Sequence, residues 1–236
     1  MFFDTMDNSM KPNILYEAKT EYGLLQVTEQ SGQRFLRCDG HIESAVYTDS
    51  AHADALVFPY MQRFSYAFAA RPAIRRTLLL GGGAFSYPRY YLKNYPNCTI
   101  DVVEISEDVL KIDEAYFGLN DLKTERMQII AEDGFSYLKE TKETYDLIIN
   151  DAFLGSHEEG RGTEDLQVIH DHLNKDGIYM VNLASSLKGI SSFSYQHLSA
   201  ELKEKFKYTA VLQCEEERSL YEKQNLLLIG SEETLL

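Results

Sequence analysis

The sequence is poor in cysteine, in long hydrophobic runs and in positive charge. Its three cysteines, Cys38, Cys98 and Cys214, are widely separated and odd in number. A disulfide framework or a zinc site needs paired spacing, so a reducing compartment is expected. No apolar run approaches the roughly 20 residues needed to cross a bilayer. The stretch from Met1 to Asp7 has neither the basic start nor the apolar core of a secretion signal. These features predict a cytoplasmic protein with no membrane partner. Lys and Arg total 23 against 37 Asp and Glu, a formal net charge of -14. A nucleic-acid partner needs a basic face to neutralise phosphates, and no Lys/Arg cluster supplies one. Acidity serves solubility in the simplest reading, and an acidic field also attracts small cations such as amines. No H-E-x-x-H or carboxylate–histidine cluster has metal spacing, and His170 and His172 stand two apart on an expected helix, where they diverge. No metal is expected. The absence of G-x-S-x-G excludes an α/β-hydrolase.

What is present fits one large domain, or one with a small appendage: 236 residues, 44% of them apolar. Residues 1–13 read as a frayed arm. From Ile14 to Tyr47 the pattern is one of short alternating strands, punctuated by turns at Ser31-Gly32 and Asp39-Gly40. Asp49 to Ala70 reads as a helix, with Ala51, Ala55, Phe58 and Met61 at helical spacing and Pro59 kinking or splitting it. Beyond Pro72, strands are expected at 77–81, 99–104, 127–131, 145–150 and 177–183, and helices at 86–95, 106–117, 134–141, 163–174 and 192–206. Such alternation predicts a mostly parallel sheet covered on both faces. Two closing strands with no helix between them predict an antiparallel hairpin at one edge. The expected division is a β-meander domain over 1–48 and a nucleotide-binding α/β domain over 49–236.

The chemistry gathers around the stretch from Arg76 to Glu104, which reads as strand, glycine turn, helix, strand and a terminal carboxylate. Gly81, Gly82 and Gly83 permit a sharp turn and close backbone approach to a ligand, although Ser86 stands where a full G-x-G-x-x-G has its third glycine. Pro88 in the first turn of the following helix marks its start. Glu104 lies 23 positions after Gly81, near the roughly 20 of a ribose-binding acid. Asp133 and Gly134 close the third strand; Asp133 either lies at the rim of the same crevice, or caps the next helix, or does both. Asp151, delivered by the strand Tyr145 to Asn150, is the candidate general base or amine-orienting acid, with a plain loop cap as the alternative. Leu154 to Gly162 reads as a mobile lid carrying His157, which either moves protons or is merely solvated.

The order Leu78-Leu79-Leu80-Gly81-Gly82-Gly83, Val102-Val103-Glu104-Ile105, Glu132-Asp133-Gly134 and Tyr145-Asp146-Leu147-Ile148-Ile149-Asn150-Asp151 resembles the polyamine aminopropyltransferases typified by spermidine synthase. Tyr22-Gly23-Leu24-Leu25 and Cys38-Asp39-Gly40-His41-Ile42-Glu43 are similar to that family's N-terminal β-domain. The resemblance implies a Rossmann-like class I methyltransferase sheet, a homodimer and a role in polyamine biosynthesis. It implies that Glu104 binds the ribose of decarboxylated S-adenosylmethionine or S-adenosylmethionine, that Asp133 holds the adenine amine, and that Asp151 deprotonates the attacking amine. The chain departs from the family pattern at Ala84, where an acid follows the glycines, and at Leu154, where a second acid stands. It departs again at Glu43, where a glutamine is usual, and at Phe58 and Pro59, where a tyrosine and a polar residue are. The leading expectation is an aminopropyltransferase acting on a small amine, favoured by the meander and the acidic charge. Ala84 and Leu154 favour the alternative, an S-adenosylmethionine-dependent methyltransferase. A catalytically inactive nucleotide-binding protein is the third reading, and a nicotinamide dehydrogenase a weaker fourth.

Overall fold

A computed structural model describes residues 11–152 and 163–235. The chain first forms a four-stranded antiparallel sheet in sequential order: β1 (Asn13–Thr20), β2 (Gly23–Gln30), β3 (Gln33–Cys38) and β4 (His41–Tyr47). Both later hairpins use two-residue turns in the left-handed region, Ser31 (φ 51) with Gly32 (φ 76) and Asp39 (φ 48) with Gly40 (φ 81). That backbone twist matches the twist of the flanking strands. Asp39 also accepts the Leu24 N–H at 2.8 Å, tying this turn to the start of β2.

The helix expected from Asp49 to Ala70, kinked or split at Pro59, forms only from that proline onward. Residues 49–58 are turns and bends, followed by two short helices, α1 (Pro59–Arg63) and α2 (Tyr66–Ala70). Proline lacks the N–H an interior helical position requires and clashes with the preceding turn, so Pro59 sits at a helix start after an extended Phe58 (φ -96, ψ 123).

From Arg76 the alternation holds. The elements are β5 (Arg76–Leu80), α3 (Ser86–Asn94), β6 (Thr99–Glu104), α4 (Glu107–Tyr116), α5 (Leu119–Leu122), β7 (Met127–Ala131), α6 (Gly134–Glu140), β8 (Tyr145–Asn150), α7 (Thr163–Asp171), β9 (Leu173–Ser185), α8 (Phe193–Lys205), β10 (Tyr208–Gln213) and β11 (Gln224–Ser231). They build a seven-stranded sheet in the order β10-β11-β9-β8-β5-β6-β7. The pairs from β9 to β7 are parallel, and β11 runs antiparallel between β9 and β10. The helix expected over 163–174 ends at Asp171, and β9 begins at Leu173, earlier than expected. Asn174 and Gly177 disfavour helix, and Asn174 instead donates to the Asp146 carboxylate at 2.6 Å, holding the start of β9 against β8.

The apolar runs are buried on both faces. Leu79, Val102, Leu147 and Ile149 pack toward α1, α2 and α3. Leu78, Leu80, Val103 and Ile148 pack toward α6, α7 and α8. The four-stranded sheet lays Leu25, Val27, Leu36 and Cys38 on Ala84, just past the glycine turn, and on Val109, Ile112 and Phe117 of the α4 region. That contact brings β4 to the carboxyl ends of the parallel strands. None of the described helices is long and apolar enough to cross a membrane.

All three cysteines are free and buried. Burial pushes the Cys38 thiol up to about 11 and the Cys214 thiol up to about 12, so neither forms the nucleophilic thiolate near neutrality. An aromatic disulfide reagent at about pH 8 is expected to label neither residue in the folded protein and to label both once denaturant exposes them. Peptide mapping after a timed quench reads the difference.

Candidate active site

The site is built where the parallel strands end. Beyond β5 the chain turns at Gly81, whose N–H donates to the Val103 carbonyl at 2.8 Å, while the Asp151 N–H donates to the Leu80 carbonyl at 2.9 Å. These bonds draw the tips of β5, β6 and β8 together. Gly81 has φ +94, and a Cβ there would stand 2.7 Å from the Asp151 carbonyl oxygen and 2.9 Å from the Ala152 Cα. Only glycine satisfies both conditions. Gly83 (φ +50) lies against Ser44 of β4, where a Cβ would approach the Ser44 Cβ to 3.2 Å. Ser44 Oγ in turn lies 3.3 Å from Ser86 Oγ at the start of α3.

Glu104, 5% exposed, ends β6. Its Oε2 accepts the Gly82 N–H at 2.9 Å and its Oε1 accepts the Ser106 N–H at 2.9 Å. Burial pushes the carboxyl above its usual range, and the backbone amides oppose that shift. Each carboxylate oxygen has two acceptor positions, so these bonds leave capacity for a ligand's hydroxyl groups. Asp133 caps α6, accepting the Ser136 N–H at 2.8 Å, and lines the same cavity as Glu104.

Asp151 follows β8, with its carboxylate held on both sides. Tyr60 of α1 donates its hydroxyl to Oδ2 at 2.9 Å, and Asn182 of β9 donates Nδ2 to Oδ1 at 2.9 Å. Tyr60 is buried, and this burial, reinforced by the Asp151 charge, holds its phenol far above the usual range. It therefore remains a donor. Sequence reasoning missed both partners. Phe58 and Pro59 stand where the family resemblance put a tyrosine and a polar residue, yet a tyrosine reaches the site from Tyr60, two positions after Phe58. Asn182 did carry a signal: an amide inside the apolar run Met180-Val181-Asn182-Leu183, buried to 3% exposure, must find a polar partner.

These residues border a cavity of about 610 Å³, within the usual range for small-molecule sites. Gly81, Gly82, Gly83, Glu104, Asp133, Gly134 and Asp151 all line it. The four-stranded sheet adds Tyr22, Glu43 and Ser44, and α8 adds Phe193, His197 and Glu201. Five carboxylates therefore face the cavity, and none of its described lining residues is Lys or Arg. Ala84 is fully buried beneath the four-stranded sheet, and Phe58 lies in the core. His170 pairs with Glu232 and His172 bonds the Val168 carbonyl, both outside the cavity. Leu154 and His157 fall outside the described residues. Among the described residues no group of three or more His, Cys, Asp or Glu side chains could hold a metal ion.

The family profile described as spermine/spermidine synthase domain matches residues 65–224, more than half of the chain. The chain belongs to the spermine/spermidine synthase family. The polyamine aminopropyltransferase of Thermococcus onnurineus is 28% identical over 176 residues, a match covering 72% of this chain and 60% of that protein. The chain thus spans about 60% of the length of that curated relative. A probable spermidine synthase from Corynebacterium glutamicum superposes with a TM-score of 0.76 at 21% identity, covering 95% of this chain and 81% of its own. The human methyltransferase-like protein 13 in complex with SAH superposes with a TM-score of 0.62 at 21% identity, covering 73% and 82% of the two chains. Both structures share the methyltransferase-like sheet; the spermidine synthase match extends over nearly the whole chain.

Gly81→Ala tests the turn. Gly40→Ala, at φ +81 with open space around it, is expected to cost about 1 kcal/mol from backbone strain alone. Gly81→Ala adds a clash with the Asp151 backbone and is expected to cost about 3 kcal/mol. Urea unfolding of the two variants against the wild type measures both.

Proposed function

We propose that this protein transfers the aminopropyl group of decarboxylated S-adenosylmethionine to a small amine. The observation that carries the reading is the Asp151 carboxylate, held by Tyr60 and Asn182 and facing the same acidic cavity as Glu104. Glu104 and Asp133 bind the nucleoside through its ribose hydroxyls and its adenine amine. The donor carries a sulfonium and a primary ammonium, and a cavity rich in carboxylates suits both charges. S-Adenosylmethionine carries an additional α-carboxylate, for which the described lining residues offer no Lys or Arg partner.

In the reaction the acceptor nitrogen uses its lone pair to attack the aminopropyl carbon beside sulfur. A carbon–nitrogen bond forms, the carbon–sulfur bond breaks, and its electrons remain on sulfur as methylthioadenosine departs. The acceptor must shed a proton to attack, and Asp151 accepts it. Tyr60 and Asn182 fix the carboxylate in line with the incoming amine, so much of the gain is positional. The unit 1–48, which contains the four-stranded sheet, then serves as a substrate-facing unit beside the nucleotide-binding unit 49–236. The homodimer is taken from the family resemblance, and the cytoplasmic setting from the three widely spaced cysteines. No metal, membrane or nucleic acid takes part. Methylation is the second reading, favoured by Ala84, which supplies no carboxylate after the glycine turn.

Calorimetry with S-adenosylmethionine, its decarboxylated form, methylthioadenosine and S-adenosylhomocysteine separates the readings. Aminopropyl transfer requires preference for the decarboxylated donor and methylthioadenosine, whereas tighter S-adenosylhomocysteine binding supports methylation. Binding without turnover across a panel of amines supports an inactive nucleotide-binding protein. Glu104→Ala is expected to weaken nucleoside binding. Asp151→Asn is expected to lower kcat by roughly 100-fold or more while changing donor affinity little; equal losses in both would remove its role as base.

A further inference from the structure

Among the described residues, three other than glycine have positive φ: Ser31, Asp39 and Phe85. Ser31 and Asp39 open two-residue hairpin turns, which call for that conformation. Phe85 has no such reason. It stands at the N-terminal boundary of α3 with φ 50 and ψ 27, and its side chain is fully buried. A bulky residue is rarely found in the left-handed region, and surrounding contacts must hold it there.

The contacts that hold it are those of the glycine turn. A Cβ on Gly82 would stand 2.8 Å from Phe85 Cε2 and 3.5 Å from Glu104 Cβ, so Gly82 is a thin spacer between the ring and that acid. The Gly82 N–H donates to Glu104 Oε2 at 2.9 Å, and the Gly82 carbonyl accepts the Phe85 N–H at 3.0 Å. Gly82 and Glu104 line the cavity and Phe85 does not, so the ring backs the turn from the core, in one cluster with Leu79 and Val102. Its neighbour Ala84 enters a different cluster, with Leu25 and Leu36 of the four-stranded sheet. That sheet meets the turn through β4. There Leu36 opposes Ser44 and Arg37 opposes Ile42, so Glu43 is an extra residue that forms a bulge. Ser44, the next residue, packs on Gly83. The glycine turn is thus clamped between β4 on one side and the Phe85 ring on the other.

We infer that Phe85 is a positioning residue for ribose recognition: its ring fixes Gly82, and through Gly82 the Glu104 carboxylate, in the orientation that meets the ribose hydroxyls. The inference rests on Glu104 as the ribose-binding acid. Gly82 has no side chain through which packing could orient its amide, and the ring behind it does so instead. Selectivity for ribose is thereby set in part by a residue that touches no ligand.

Calorimetry with methylthioadenosine and its 2′-deoxy analogue, which lacks one of the two hydroxyls, tests it. The wild type is expected to bind the analogue about tenfold more weakly, because a hydrogen bond to a charged carboxylate is lost. Glu104→Ala is expected to bind the two alike. Phe85→Gly removes the ring and relieves the left-handed backbone, and it is expected to narrow the difference to about threefold or less. Phe85→Leu keeps apolar bulk behind Gly82 and is expected to fall between Phe85→Gly and the wild type. Unchanged discrimination in Phe85→Gly, or in Phe85→Leu where the glycine variant does not fold, overturns the inference and leaves Glu104 standing. So does an equal loss of affinity for both nucleosides, which a purely structural role would produce. A wild type that binds the two alike, or a Glu104→Ala variant that still tells them apart, overturns Glu104 as the ribose acid and this assignment with it.

Discussion

The Glu104 carboxylate reaches from the end of β6 to the Gly82 amide beyond β5 and to the Ser106 amide at the start of α4. Two backbone donors that open toward the cavity are thereby satisfied by one side chain, and two strand ends are fixed relative to each other. Burial makes the charge costly, and the amides offset that cost. The geometry of the cradle depends on this exchange: the carboxylate shapes the turn that seats a ligand and retains acceptor capacity for the ligand itself. The packing of β5 against β8 then carries the constraint across to Asp151, whose backbone comes too near Gly81 to admit any side chain there.

Asp151 draws on parts of the chain far apart in sequence. Tyr60 comes from a helix that precedes the parallel sheet, and Asn182 from the strand on the far side of β8. The carboxylate is therefore oriented by tertiary packing as a whole. The four-stranded sheet completes the cavity from outside the parallel fold, resting on Ala84 and the α4 region and presenting Tyr22, Glu43 and Ser44.

The parallel part of the fold was legible because its signals are local. Continuous apolar runs ending in Gly81, Glu104, Asp133 and Asp151 mark strands buried on both faces, and those end residues converge on one cavity as a consequence of topology. The hairpin turns were legible for the same reason, since Ser31-Gly32 and Asp39-Gly40 need only their own backbone preferences. What escaped was set by contacts distant in sequence. Apolar spacing suggested a helix before Pro59, but the proline's missing donor took precedence. Tyr60 became part of the site only because its hydroxyl reaches Asp151, 91 residues further along the chain, and neither this nor the bulge at Glu43 is written in any short stretch.

Among the described residues β4 pairs with β3 alone, at the border of the four-stranded sheet. A one-residue insertion in an outermost strand alters where a side chain points without disturbing the register of the seven strands that carry Glu104 and Asp151. A different side chain at this bulge therefore changes the charge on the cavity wall without altering a hydrogen bond of the seven-stranded sheet. The backbone that carries this wall nevertheless stays clamped to the glycine turn through Ser44, which packs on Gly83 and faces Ser86, so the wall's charge is set side chain by side chain while its position is set by the cradle.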